Sequence, residues 1–177
     1  MCTPGKALIA AMALLMTSGL ALADAPQANP ADEFLANALQ TSMTQVELGK
    51  LAQKNAQSAG VNALGVRLQR DHARIGKMLA TLANQKGVTV PVSLDSHAAI
   101  DSLSAKSGAE FDAAYSAQMV RDHETAIALF TAAESSSDAD LRQVARLALP
   151  TLREDERLAA SFDKLNPNSV QAVARRQ

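Results

Sequence analysis

One tripeptide occurs twice in this chain, as Arg70-Asp71-His72 and as Arg121-Asp122-His123. In both copies the histidine falls on the apolar stripe of a helix predicted from the spacing of its neighbours. Val61, Leu64, Leu68, His72, Ile75, Leu79 and Leu82 make one stripe; Phe111, Tyr115, Met119, His123, Ile127 and Phe130 make the other. A titratable ring on a face destined for burial is costly unless something pairs with it. Two carboxylates, Glu47 and Asp155, stand on or at the edge of the stripes of two further predicted helices, each near the helix middle. Two imidazoles and two carboxylates suit iron, manganese, zinc or copper. Bundles that hold metals project one or two such ligands inward from each helix. Glu47, His72, His123 and Asp155 are therefore candidate ligands for one transition-metal ion. The same four residues also suit a buried polar network with no ion, each imidazole paired with an acid. Spacing does not choose between these readings.

The elements that must position these residues are all helical, because apolar residues recur every three or four positions and never alternate. The first helix is predicted to begin at Asn29-Pro30, with a capping side chain, a proline at the first helical position, and Asp32 and Glu33 at the positive end of the dipole. It continues through Phe34, Leu35, Ala38, Leu39, Met43, Val46 and Leu51 to about Ser58, where Ala59-Gly60 should break it. The second spans Val61 to Lys86, with Gly87 as its stop. An extended segment, Val88 to Leu94, and a short helix to about Lys106 form a long connection. Such a connection can carry the chain from one end of a bundle to the other. The third long helix runs from Ala109 to Ala133, and the fourth from Ala139 to Leu165, with a kink expected at Pro150. The fold class predicted is all-α, a four-helix bundle with a long connection between helices 2 and 3.

The N-terminus reads as an export signal. Lys6 precedes the apolar run Ala7 to Met16, and Ala21-Leu22-Ala23 offers small residues where a signal peptidase cuts. The domain plan is thus a signal peptide over 1–23, a linker over 24–30, the bundle over 31–165 and a flexible tail over 166–177. Periplasmic localisation follows from that plan. Cleavage would leave 154 residues carrying 16 basic and 18 acidic side chains and no cysteine, since Cys2 is the only one. Thiolate metal sites and disulfides are then excluded, and the fold must rest on its hydrophobic core. No basic stripe is present and aromatics are few, which argues against nucleic acid. The mature chain has no apolar run long enough to span a membrane. Gly-x-Ser-x-Gly, glycine-rich phosphate loops and His-Glu-x-x-His are all missing, which argues against a hydrolase, kinase or dehydrogenase and leaves a metal-dependent redox enzyme as the last-ranked reading. Two functions from different classes rank above it: a small binding or envelope stress-protective protein with a polar core site, or a non-catalytic structural module that docks an envelope protein.

The chain resembles the exported bacterial proteins grouped as domain of unknown function 4142, some of them labelled predicted outer membrane proteins. The resemblance is carried by Glu47-Leu48-Gly49-Lys50-Leu51-Ala52, Arg70-Asp71-His72, Phe111-Asp112-x-x-Tyr115 with His123, and Leu149-Pro150-x-Leu152, over about Asp32 to Phe162. It implies a ferritin-like four-helix fold and no established activity. That family usually has a histidine where this chain has Asp155. The ferritin-like di-iron pattern also asks for Glu-x-x-His, whereas Gln69 precedes His72 and Leu152 precedes Asp155 at that spacing. A ferroxidase site is not supported.

Overall fold

A computed structural model of the protein describes residues 29–89 and 95–165. The predicted signal peptide, most of the linker, most of the extended segment and the C-terminal tail lie outside these residues. The described chain forms α1 (Pro30–Asn55), α2 (Ala59–Lys86), α3 (Asp95–Ser104), α4 (Gly108–Ala133) and α5 (Ala139–Lys164).

Local chemistry sets the ends of these helices. The Asn29 side chain accepts from the Ala31 N–H, and Pro30 occupies the first turn of α1, where its missing donor costs nothing. The Asp138 carboxylate caps α5 by accepting from the N–H groups of Asp140 and Leu141. Gly87 closes α2 in the left-handed conformation at φ 69°, which other residues adopt at a cost. The break between α1 and α2 differs from its predicted place. Ser58 caps α2 by accepting from Val61 N–H, so Ala59 and Gly60 begin that helix rather than separating two. An N-cap hydroxyl on Ser58 outweighs the low helix propensity of Gly60. Pro150 lies inside α5 on its exposed side, as does Arg146 four residues before it, the residue whose carbonyl a proline cannot serve as donor.

The helices pair as two hairpins. α1 lies against α2 and α4 against α5; the hairpins join where α2 meets α5 and α1 meets α4. The start of α4 is fastened beside the α1–α2 turn, because Asp112 accepts from the backbone N–H groups of Gln57 and Ser58. At the other end, Phe34 of α1 meets Phe130 of α4 edge to face, and Lys86 at the end of α2 pairs with Asp138 at the start of α5. Neighbouring long helices are therefore antiparallel, and α2 runs parallel to α4. The connection through α3 must return the chain along the whole bundle, the single crossover of a ferritin-like four-helix fold.

α1 and α2 approach closely through small residues. A Cβ at Gly49 would fall 2.7 Å from the Gly65 carbonyl oxygen and 2.9 Å from the Gln69 nitrogen, both backbone atoms of α2. Gly49→Ala should force the helices apart and cost about 1–3 kcal/mol, read as a lower urea midpoint at unchanged slope.

The interior is not one continuous apolar core. Leu35, Ile75, Leu79, Phe130, Leu149 and Leu152 belong to one cluster, and Leu48, Leu64, Leu68, Phe111, Tyr115 and Met119 to another. A polar layer lies between them in sequence on every long helix: Ser42 and Gln45 on α1, Asp71 and His72 on α2, His123 on α4, Asp155 on α5.

Candidate metal centre

Each layer residue falls at the step of its helix where the inward stripe passes the middle of the bundle. His72 lies one turn after Leu68 and one before Ile75; His123 lies four after Met119 and three before Ala126; Asp155 lies three after Leu152 and four before Ala159. His72, His123 and Asp155 are buried, and each offers one ligand atom within 4.8 Å of the other two.

The two rings meet edge to face at 78°, with 5.2 Å between centroids and 3.2 Å between their Nε2 atoms. His123 Nδ1 lies 2.8 Å from the Met119 carbonyl oxygen. A carbonyl only accepts, so Nδ1 carries the proton and the Nε2 lone pair of the neutral ring points at His72. Neutral His72 then has two choices. It donates Nε2–H to His123 and leaves Nδ1 as a bare acceptor, or it keeps its proton on Nδ1 and sets two lone pairs face to face. Either way His72 Nδ1 is buried without a partner. A cation between the rings would take up both lone pairs. With metal–nitrogen bonds of about 2.05 Å, a 3.2 Å separation corresponds to a ligand angle of about 100°, close to tetrahedral or octahedral geometry.

Asp155 is 0 % exposed. Its Oδ1 accepts from Arg67 Nε at 2.6 Å, while Oδ2 has no partner. Arg67 also reaches Asp71 Oδ2 at 3.5 Å, and Asp71 is further held by Arg70 at 3.0 Å. On the opposite side Gln45 donates to Asp122 Oδ2 at 2.8 Å and Gln118 to Asp122 Oδ1 at 2.7 Å, leaving Gln45 Oε1 unpartnered. The Tyr115 hydroxyl is likewise buried without a partner.

These surroundings suppress charge. Burial, and then the neighbouring His123, push His72 down to about 3. Burial also lowers His123, against the pull of its bond to the Met119 carbonyl and of Asp155. Burial raises the Asp155 carboxyl although the Arg67 bond opposes it. Burial raises the Tyr115 phenol as well, followed by the Asp122 and Asp155 charges. Both imidazoles are thus neutral at pH 7, the form that ligates.

Glu47 must be removed from the candidate set. Its side chain is 54 % exposed and pairs with Lys50 at 2.7 Å, one turn along the outer face of α1. The residue of α1 that does enter the layer is Gln45. Asp71 and Arg67 also belong to the site, and a sequence signal existed for them: Arg67 precedes Asp71 by four residues, the spacing at which opposite charges meet on a helix.

The family model for domain of unknown function 4142 (DUF4142) matches residues 17–161. This chain belongs to the DUF4142 family. Its fold is also that of a solved structure, a DUF305 fragment from Deinococcus radiodurans, with a TM-score of 0.69 at 17 % identity over 79 % of this chain and 99 % of that one. No curated protein matches the chain. Membership of DUF4142 brings no assigned activity, so the function of this DUF4142 protein has to be argued from the layer itself.

Proposed function

We propose that this DUF4142 protein is a small periplasmic binding protein that holds one first-row transition-metal ion in its bundle core on His72, His123 and Asp155. The periplasmic part rests on the signal-like N-terminus. The observation that carries the metal part is the convergence of three buried ligand atoms within 4.8 Å. Two neutral imidazoles and a carboxylate supply three ligands and leave a position open, a donor set suited to zinc or iron(II). Among the described residues no helix is long and apolar enough to cross a membrane.

Protein purified without a chelating tag should carry, or take up, one ion per chain, and His72→Ala with His123→Ala should abolish this. Free metal at a hundred times its Kd should stabilise the fold by about 2.7 kcal/mol. Chain that stays metal-free and whose melting temperature ignores zinc, copper, iron and manganese would end the reading. A specific observation would then favour the alternative, a non-catalytic envelope module: Asp155 already holds a cation in Arg67, so the layer has a metal-free use as a polar clamp between α2 and α5.

A further inference from the structure

We propose that Arg67 is a tethered cation which an incoming metal ion must displace from Asp155. This rests on the metal reading above and adds to it the way the site is controlled. One nitrogen, Arg67 Nε, touches oxygens of two buried carboxylates: Asp155 Oδ1 at 2.6 Å and Asp71 Oδ2 at 3.5 Å. A guanidinium stays protonated and cannot ligate, so in this place it does the electrostatic work of a metal without being one. An ion seated on His72, His123 and Asp155 would lie beside that fixed positive charge, and the repulsion is strong where water is scarce. Arg67 has somewhere to go. Its side chain is 33 % exposed, and its long stem lets the charged head swing into water.

The acids have no such exit, since Asp71 and Asp155 are both buried. When Arg67 leaves, Asp155 loses its one N–H donor and needs a replacement cation. Asp155 Oδ2 and His72 Nδ1 are already without partners, so the metal-free layer is incompletely satisfied. Asp71 keeps a partner of its own when Arg67 leaves, because Arg70 holds both its oxygens, Nε to Oδ1 at 3.0 Å and Nη2 to Oδ2 at 3.1 Å. A divalent ion on one carboxylate and two neutral imidazoles already carries a net positive charge, and Arg67 retained on Asp155 would add another beside it.

The test is zinc titration by calorimetry of the full chain at pH 7.5, after metal removal by chelator. Arg67→Met should bind zinc at least about tenfold more tightly than wild type, the scale on which a group supporting the ligands registers. Arg67→Lys, which keeps a cation, should stay near wild type. An NMR readout on the wild-type chain does not depend on any variant folding. The Arg67 Nε–H should exchange slowly without metal and quickly once zinc is bound. Unchanged affinity in Arg67→Met together with a still-protected Nε–H in zinc-loaded protein overturns the displacement but leaves the metal site standing. Failure of every chain to bind zinc overturns both.

Discussion

Lowering the pH from 6.5 to 4 is expected to remove about 3 kcal/mol of folding stability from the metal-free chain through His72 alone. Its folded value is about 3, set by burial, against about 6.5 when unfolded. Between those limits the unfolded chain binds the proton and the folded chain does not, so stability falls as pH falls, by about 1.4 kcal/mol per unit. The contribution is complete above the unfolded value and is withdrawn steadily below it. His123 is lowered by the same burial and acts in the same direction. Asp155 opposes them at the acid end. Its raised carboxyl takes up a proton more readily folded than unfolded, so its protonation favours the fold as pH drops. Urea midpoints at pH 7, 6, 5 and 4 measure the sum, and His72→Leu should lose much of the slope. A flat wild-type profile would mean that the rings can reach water. Zinc should displace the whole curve to lower pH, because an ion on the imidazoles competes with protons for the same lone pairs.

The part of this site that was legible in the sequence was the part carried by strong apolar stripes. His72 and His123 interrupt runs of leucine, isoleucine and phenylalanine at helical spacing, and Asp155 sits between Leu152 and Ala159 on a stripe of the same kind. Burial of that stripe leaves such residues no outward option. α1 was harder to read. Its inward face carries Ser42, Gln45, Gly49 and Ala52 beside Leu48, since close approach to Gly65 of α2 leaves no room for a Cβ at position 49. Met43, counted as part of the stripe from its apolarity, is 54 % exposed. Following apolar residues rather than small ones turns the presumed inward face of α1, and that turn is what brought Glu47 into the set and left Gln45 out. The long crossover was legible because a capped helix end at Gly87 and a new helix near residue 108 leave a connection too long for a hairpin. The Arg67–Asp155 contact was not, since the two residues are 88 positions apart on helices whose pairing periodicity alone does not fix.

Arg67→Ala should destabilise the metal-free protein by about 3 kcal/mol, and replacing its partner as well should recover most of that loss. The single change strands the Asp155 carboxylate at 0 % exposure with neither oxygen hydrogen-bonded, because Oδ2 is already unpartnered. A buried charge without a counter-charge is the costly state; two well-packed apolar residues in the same space are not. Arg67→Met with Asp155→Leu should therefore melt at or above the wild-type temperature, and thermal or urea unfolding of the two singles and the double closes the cycle. A loss under about 0.5 kcal/mol in Arg67→Ala would show that Asp155 is neutralised by other means. A double variant weaker than Arg67→Ala would make the layer a structural necessity. With the expected outcome, a bundle of this size could fill its middle with leucine and be more stable. It instead keeps two rings, two acids and a guanidinium there, with buried atoms left unsatisfied. Stability then does not explain the layer, and the metal site proposed on His72, His123 and Asp155 would.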